Sequence, residues 1–270
     1  MILYGAPVRN KIKEELISRI EGLGRTPSLT IIQVGDREES NLYIKNKILF
    51  GTEIGVKVLR LNLKEETELE DGIKRLNEDK ETDGIIIQLP LPEKFNTKKI
   101  LSLINRKKDA DGLISGSAVI PATARAVLAL LEYYKIEVRD KKTAVVGQGI
   151  LAGRPISEEL ERRGALVQRS DIKTPEIFRI TRECDILVSA VGKPYLITKD
   201  FVKPGAAVID VGISKLDGKT VGDVKLDEVS QIAGSVSPVP GGVGPVTVAC
   251  LFWNVIDLCY NGTVVKNINS

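Results

Sequence analysis

The stretch KTAVVGQGILAGRPISEELERRG, residues 142–164, decides the fold. It opens with a short apolar run, passes through Gly147-Gln148-Gly149-x-x-x-Gly153, and continues as a helix. Strand, glycine turn, helix is the unit that cradles a phosphate. Gly147 permits the tight turn and Gly149 lets a pyrophosphate approach the backbone. The helix N-terminus then supplies N–H groups and partial positive charge. Glycine turns also occur at plain strand–helix junctions, so the surroundings matter. ALVQRS (165–170), DILVSAVG (185–192) and GAAVIDVGI (205–213) read as further strands, with a helix over 174–182. Together they form one dinucleotide-binding sheet.

The chain ahead of this sheet repeats the α/β alternation. Ile12, Leu16, Ile20 and Leu23 recur at helical spacing over 8–24, with Gly24 as the stop. LTIIQVG (29–35) is a buried strand, and SNLYIKNKILFGTEIG (40–55) a helix with Ser40 as a possible N-cap. VKVLRLNL (56–63) alternates like a strand, residues 66–80 form a charged helix, and DGIIIQLPLP (83–92) runs from strand into a proline-stiffened loop. A helix over 124–135 precedes the second sheet, and VTVACLFWNVIDLCY (246–260) is a last helix free to return to the first domain. The expected architecture is two α/β domains: 1–120 plus 248–270, and a Rossmann-type domain over 121–247.

Composition narrows the chemistry. The 270 residues carry 39 basic and 36 acidic side chains, mixed along the chain, for a net charge of +3. That balance makes no electrostatic case for nucleic acid or membrane partners. We expect no signal peptide and no apolar run near the ~20 residues of a membrane span. Cys184, Cys250 and Cys259 lack paired spacing and histidine is absent, so neither a metal site nor a disulfide framework is expected. The chain reads as cytoplasmic. Without histidine, acid/base work falls to Lys, Tyr, Asp, Glu or Cys.

Two further stretches carry chemistry. Tyr43-x-x-x-Lys47 lies on one helical face with Ser40. The same spacing serves short-chain dehydrogenases, yet those place their glycine turn before it, whereas Gly147 lies about a hundred residues after Tyr43. SPVPGGVGPVT (237–247) packs three prolines and three glycines into eleven residues, a rigid loop suited either to a turn or to a ligand.

With these residues in view, the chain resembles the bifunctional methylenetetrahydrofolate dehydrogenase/cyclohydrolases. The PVPGGVGPVT loop, Ser40-x-x-Tyr43-x-x-x-Lys47, IQLPLP (87–92), Asp109-Ala110-Asp111-Gly112, GKP (192–194), VIDVGI (208–213) and VGDV (221–224) occur in family order across nearly the whole chain. The resemblance implies oxidation of 5,10-methylenetetrahydrofolate with NADP, NAD being possible, and then hydrolysis to 10-formyltetrahydrofolate. It implies a homodimer, with folate in the cleft between domains. Lys47 inherits the key catalytic role, with Tyr43, Gln88 and Asp111 as its companions. Leu89, Pro240, Gly241 and Gly242 join them in substrate binding. Gly147, Gln148, Gly149, Arg154, Arg169, Ile213 and Thr247 are the implied cofactor residues. The first step forms a cation stabilised by two nitrogens and needs no proton acceptor, so positioning dominates. The second step needs help in deprotonating water. A desolvated Lys47 suits that task, with Gln88 holding it, and the Asp111 carboxylate suits a donor-rich aminopyrimidine edge.

The chain also departs from the family. Gly-Arg-Ser becomes Gly147-Gln148-Gly149, removing an arginine that holds the 2′-phosphate of NADP. Asp171, 24 residues after Gly147, stands near where NAD enzymes place a ribose-binding acid. Arg154, Arg169 and Lys173 are candidate replacement cations. Pro-Cys-Thr-Pro becomes Pro121-Ala122-Thr123-Ala124, where Thr123 is expected to cap the helix. Alternatives are a dehydrogenase without the hydrolase, an NAD-preferring enzyme, a shikimate-type two-domain dehydrogenase, and a non-catalytic folate- or nucleotide-binding protein.

Overall fold

In the computed structural model the elements run α1 (Gly5–Glu21), β1 (Ser28–Val34), α2 (Glu38–Ile54), β2 (Lys57–Leu63), α3 (Glu66–Glu78), β3 (Gly84–Ile87), α4 (Thr97–Ser102) and α5 (Ala122–Tyr133). They continue as β4 (Lys142–Val146), α6 (Gly153–Arg162), β5 (Leu166–Ser170), α7 (Ile177–Thr181), β6 (Ile186–Ser189), β7 (Ala207–Asp210), β8 (Ser214–Leu216), β9 (Lys219–Val221), α8 (Leu226–Val229), β10 (Ser235–Val236) and α9 (Val243–Ile268). The structure describes the backbone of residues 1–268 and the side chains of 1–260. Contacts divide the chain into two units, one of residues 11–122 and 248 onward, the other of 1–10 and 123–247. The sequence reading groups 1–10 with the first domain instead, and its residues 269–270 lie outside the described residues.

In the first unit, three parallel strands take the order β2-β1-β3. Every residue of β1 is buried, as the middle strand of a covered parallel sheet must be. Strand β2 is mostly exposed, as an edge strand. The apolar stripe of α3, Leu69 and Ile73, closes over Ile32, Val34, Ile85 and Ile87. Helix α2 begins at Glu38 with Arg37 at its cap position, so Ser40 is buried in the first turn and caps nothing. It ends at Gly55, whose φ of 82° completes a left-handed cap that a side chain would strain. Phe50 of α2 meets Phe252 of α9 with ring centroids 5.4 Å apart.

The second unit holds five strands in the order β10-β7-β6-β4-β5, every ladder parallel. Its core joins Ala144, Val146, Leu187, Val208 and Val236. Residues 1–5 are stitched onto it: Leu3 N donates to Val236 O at 2.9 Å, Val236 N to Met1 O at 3.0 Å, and Gly5 N to Gly241 O at 2.8 Å. A two-stranded hairpin, β8 with β9, stands apart from the main sheet.

Three expectations are corrected, at the start of α5, at the end of α1 and in α9. Helix α5 starts at Ala122, which puts Thr123 inside the first turn rather than at the cap. The first helix ends at Glu21, and Gly24 serves the turn beyond it at φ 67°. Among the described residues, the window Val243–Tyr260 is long and apolar enough to cross a membrane by length and composition, with mean hydropathy 1.5. Of that window 61% is buried, the behaviour of a core helix.

Gly51 shows how closely α2 is held. A Cβ there would lie 2.4 Å from Val58 Cγ2 and 2.8 Å from Phe252 Cε1. Gly51→Ala is therefore expected to destabilise the fold by about 1–3 kcal/mol despite alanine's better helix propensity. A fall in the thermal midpoint of about 2–4 °C per kcal/mol checks this by calorimetry.

Candidate active site

Helix α2 carries Tyr43 and Lys47 one turn apart, with Ile44, Phe50 and Ile54 as its buried face. Lys47 is half-buried, and its Nζ donates to Gln88 Oε1 at 3.0 Å. Gln88 follows β3 directly and is buried; its N–H donates to Ile32 O at 2.8 Å, and its Nε2 to Leu89 O at 2.9 Å. The amide therefore has one orientation, with oxygen toward the lysine. Leu89 is half-buried beside it, while Tyr43 is 38% exposed and makes interactions of its own.

Asp111 completes this group. Burial pushes its carboxyl up to about 6, against the pull of Lys47 and with a smaller push from Asp109. Burial likewise lowers Lys47, and Asp111 partly restores it. Both charges are disfavoured by dry surroundings and each supports the other. The position of Asp111 is fixed by its neighbours. Asp109, buried, accepts from Gly112 N at 3.0 Å and Ile114 N at 2.9 Å. Asn254 of α9 donates to Ala110 O at 2.8 Å and Ile120 O at 2.9 Å, and Ala122 N to Asp111 O at 3.0 Å. Asp109 is thus the turn former, and Asp111 is the buried acid coupled to Lys47. Asn254, an amide within an apolar helix run that carries no motif, clamps the loop.

In the second unit, the glycine turn has the shape that a dinucleotide requires. Gly147 has φ 91°, and a Cβ on it would stand 2.4 Å from Ala190 O. A Cβ on Gly153 would stand 1.7 Å from Gly147 O, so α6 starts directly on the turn. Gly149 faces open space, with nothing within 4 Å of where its Cβ would be. That is a cradle with an unobstructed mouth at a helix N-terminus, and it fits a pyrophosphate. Gln148 turns inward: its Nε2 donates to Val145 O at 3.0 Å and Ser157 Oγ at 3.3 Å. Arg154 is exposed on the first turn of α6. Arg169 is held by Glu161 through both Nε (3.0 Å) and a terminal nitrogen (2.7 Å). Ile213 is 48% exposed beyond β7, and Thr247 Oγ1 donates to Val243 O at 3.2 Å inside α9.

Helix α9 already begins at Val243, and the 237–242 loop ahead of it is packed rather than free. Gly241 has φ 103°, Gly242 has Pro238 O 2.5 Å from where a Cβ would stand, and a Cβ on Gly5 would meet Gly242 O at 1.9 Å. Pro240 remains exposed at its tip. Two buried acids beside the cradle, Asp210 and Asp223, escaped the reading by residue type, because each looks like an ordinary strand-end aspartate. The signal was present: each sits within an apolar run, VID and VGDV. Among the described residues no cluster of three His, Cys, Asp or Glu side chains is arranged to hold a metal.

A Rossmann-type unit with an open phosphate cradle, and an α/β unit with a desolvated lysine facing an amide and an acid, define a two-domain dinucleotide-linked enzyme. Comparison with known proteins makes the class specific. The model described as "Tetrahydrofolate dehydrogenase/cyclohydrolase, catalytic domain" matches residues 3–111, and its "NAD(P)-binding domain" counterpart matches 121–262. Bifunctional protein FolD 2 of Lactobacillus johnsonii is 39% identical over 272 residues, covering 95% of this chain and 96% of that protein. A crystal structure of the bifunctional FolD enzyme from Campylobacter jejuni superposes with TM-score 0.93 at 37% identity, covering 97% of this chain and 99% of that one. The Trypanosoma brucei dehydrogenase-cyclohydrolase, solved with NADP and an inhibitor, gives TM-score 0.93 at 34% identity over 97% and 98% of the two chains. The chain belongs to the tetrahydrofolate dehydrogenase/cyclohydrolase family.

The coupling of Lys47 and Asp111 is directly measurable. Since Lys47 holds Asp111 down, Lys47→Met is expected to move the Asp111 titration upward from about 6. Carbon-13 NMR of labelled aspartate carboxyls in both proteins reads the midpoint, and an unchanged or lower midpoint would show the two groups to be uncoupled.

Proposed function

We propose that this chain oxidises 5,10-methylenetetrahydrofolate to the methenyl form with NADP and then hydrolyses the product to 10-formyltetrahydrofolate. The Lys47–Gln88 hydrogen bond beside Asp111 is the observation that carries the reading. Family membership supports the activity, and the residue roles are our own assignment. Bound at the glycine cradle, the nicotinamide cofactor supplies the hydride acceptor. Gly147 and Gly149 with the N-terminus of α6 are assigned to its pyrophosphate, Arg154, Ile213 and Thr247 to its flanks. Residues 121–247 are assigned as the domain that carries it. We assign a cytoplasmic, homodimeric enzyme.

In the oxidation, a C–H bond breaks at a carbon between two nitrogens, and their lone pairs stabilise the cation left behind. No proton leaves, so the protein's work is orientation. Asp111 accepts from the amino-pyrimidine edge of the pterin, Leu89 packs beside it, and Tyr43 shapes the pocket. Pro240, Gly241 and Gly242, rigid by packing within their own unit, serve as a substrate-binding loop. In the hydrolysis, water adds to the methenyl carbon, loses a proton, and one C–N bond then breaks. Lys47, whose burial favours the neutral amine, takes that proton and returns it to the departing nitrogen. Gln88 Oε1 keeps Nζ in place for both transfers.

A second reading concerns the cofactor. Asp171 follows β5 at the edge of the cradle, its carboxylate accepting from Lys173 N at 2.7 Å, and Arg169 is engaged by Glu161. An acid there favours ribose hydroxyls over a 2′-phosphate, which supports acceptance of NAD. Exposed Arg154 and Lys173 keep NADP as our choice. Turnover at equal concentrations decides, and a strong NAD preference overturns that choice.

The main reading is tested by following reduced nicotinamide and methenyl absorbance together. Lys47→Met is expected to cut hydrolysis by about 100- to 10,000-fold, the usual range for a lost general base, with dinucleotide binding unchanged by calorimetry. Hydrolysis is also expected to fall as the pH drops through about 6, where Asp111 takes up its proton. Intact hydrolysis in the lysine variant would remove Lys47 from the mechanism.

A further inference from the structure

Asp210 and Asp223 are both buried, 2% and 0% exposed, and neither has a cationic partner within salt-bridge distance among the described residues. Each is held by backbone N–H groups instead, joined at Asp223 by one hydroxyl. Asp223 Oδ2 accepts from Ser189 Oγ at 2.8 Å and Val191 N at 2.7 Å, and Oδ1 from Lys193 N at 2.8 Å. Asp210 Oδ1 accepts from Gly212 N at 2.9 Å and Asp223 N at 3.1 Å, and Oδ2 from Val224 N at 2.9 Å. The two acids interlock, because Asp210 holds the backbone that carries Asp223.

What they hold borders the cradle. Asp223 fixes the chain leaving β6, and the Ala190–Val191 peptide there is the wall against which Gly147 packs, 2.4 Å from its missing Cβ. It also occupies the space beside Gly212, whose Cβ would lie 2.1 Å from the carboxylate. Gly222 is excluded from a side chain in the same way, with Asp210 Oδ2 at 1.9 Å. The loops at the C-terminal ends of β6 and β7 thus share one carboxylate as their reference point, and the glycine turn after β4 packs on the first of them. Those strand ends are where an open parallel sheet receives its dinucleotide.

We propose that Asp223 is a positioning residue for the dinucleotide: its carboxylate sets the 190–193 and 211–213 backbones against the glycine turn, and its loss weakens cofactor binding without touching hydrolysis. The proposal rests on the dinucleotide reading above. Asp223→Asn is the informative change. Asparagine keeps the shape but turns one acceptor into a donor, which then faces either Lys193 N–H or Val191 N–H. One loop must move.

The test titrates NADP and NAD into wild type and Asp223→Asn by calorimetry and assays methenyltetrahydrofolate hydrolysis on the same samples. We expect the dinucleotide Kd to rise about 10-fold or more, from loss of bonds to a charged acceptor, while hydrolysis and the folate KM stay within about twofold. A Kd within twofold of wild type overturns the proposal. So does a parallel fall of both activities with a lowered melting temperature, which is what a merely structural acid gives. Should Asp223→Asn fail to fold, Ser189→Ala removes one donor without stranding another. It is expected to weaken dinucleotide binding about 2- to 10-fold with hydrolysis retained, and an unchanged Kd again overturns. Wild type that binds neither dinucleotide would defeat the reading underneath, which distinguishes that failure from failure of the clasp.

Discussion

One hydrogen bond, from Lys47 Nζ to Gln88 Oε1, organises the first unit. It joins the middle of α2 to the end of β3 at a point dry enough to press Lys47 and Asp111 toward neutrality. Holding a lysine there requires a helix pinned to the sheet, which Gly51 provides by letting Val58 and Phe252 approach. It requires a fully buried β1 as the floor, since Gln88 N hangs from Ile32 O. It also requires an acid delivered from a third direction, and the 109–122 loop does this under the grip of Asp109 and Asn254. The reactivity of the lysine is thus a property of packing as much as of its own chemistry.

Both units use the same device at their strand ends. Parallel strands stop with loops whose N–H groups have no ladder partner, and a buried carboxylate collects several of them. Asp109 does so in one unit, Asp210 and Asp223 in the other. Burying such an acid is costly unless nearly every lone pair is occupied. Burial nevertheless pushes Asp210 up to about 7. In a chain without histidine, Asp111 and Asp210 therefore carry responsiveness near neutral pH.

Much of this is legible in the sequence. Apolar runs and helical periodicity located most of the main elements, and the glycine spacing marked the cradle, because those signals are local. Lys47, Gln88 and Asp111, far apart in sequence, were joined only by family resemblance, and the structure shows two of them bonded. Ser40 and Thr123 cap neither helix, because α2 and α5 each start ahead of the expected position and take the candidate into the first turn. The inward turn of Gln148 and the capture of Arg169 by Glu161 depend on neighbours across the fold, which spacing does not reveal. The placement of residues 1–10 with the second unit depends on pairing with Val236, a contact that no local pattern announces.

The three glycines of the cradle are not alike. Gly147 and Gly153 are locked against each other, so neither position admits a second residue type without remaking the turn. Gly149 has ordinary backbone and empty surroundings. Mutational drift, or a designed library, therefore has one open door in this motif. A side chain introduced at 149 would enter the space left for the ligand while the scaffold stayed as it is, which makes that position the natural dial for retuning what the cradle accepts.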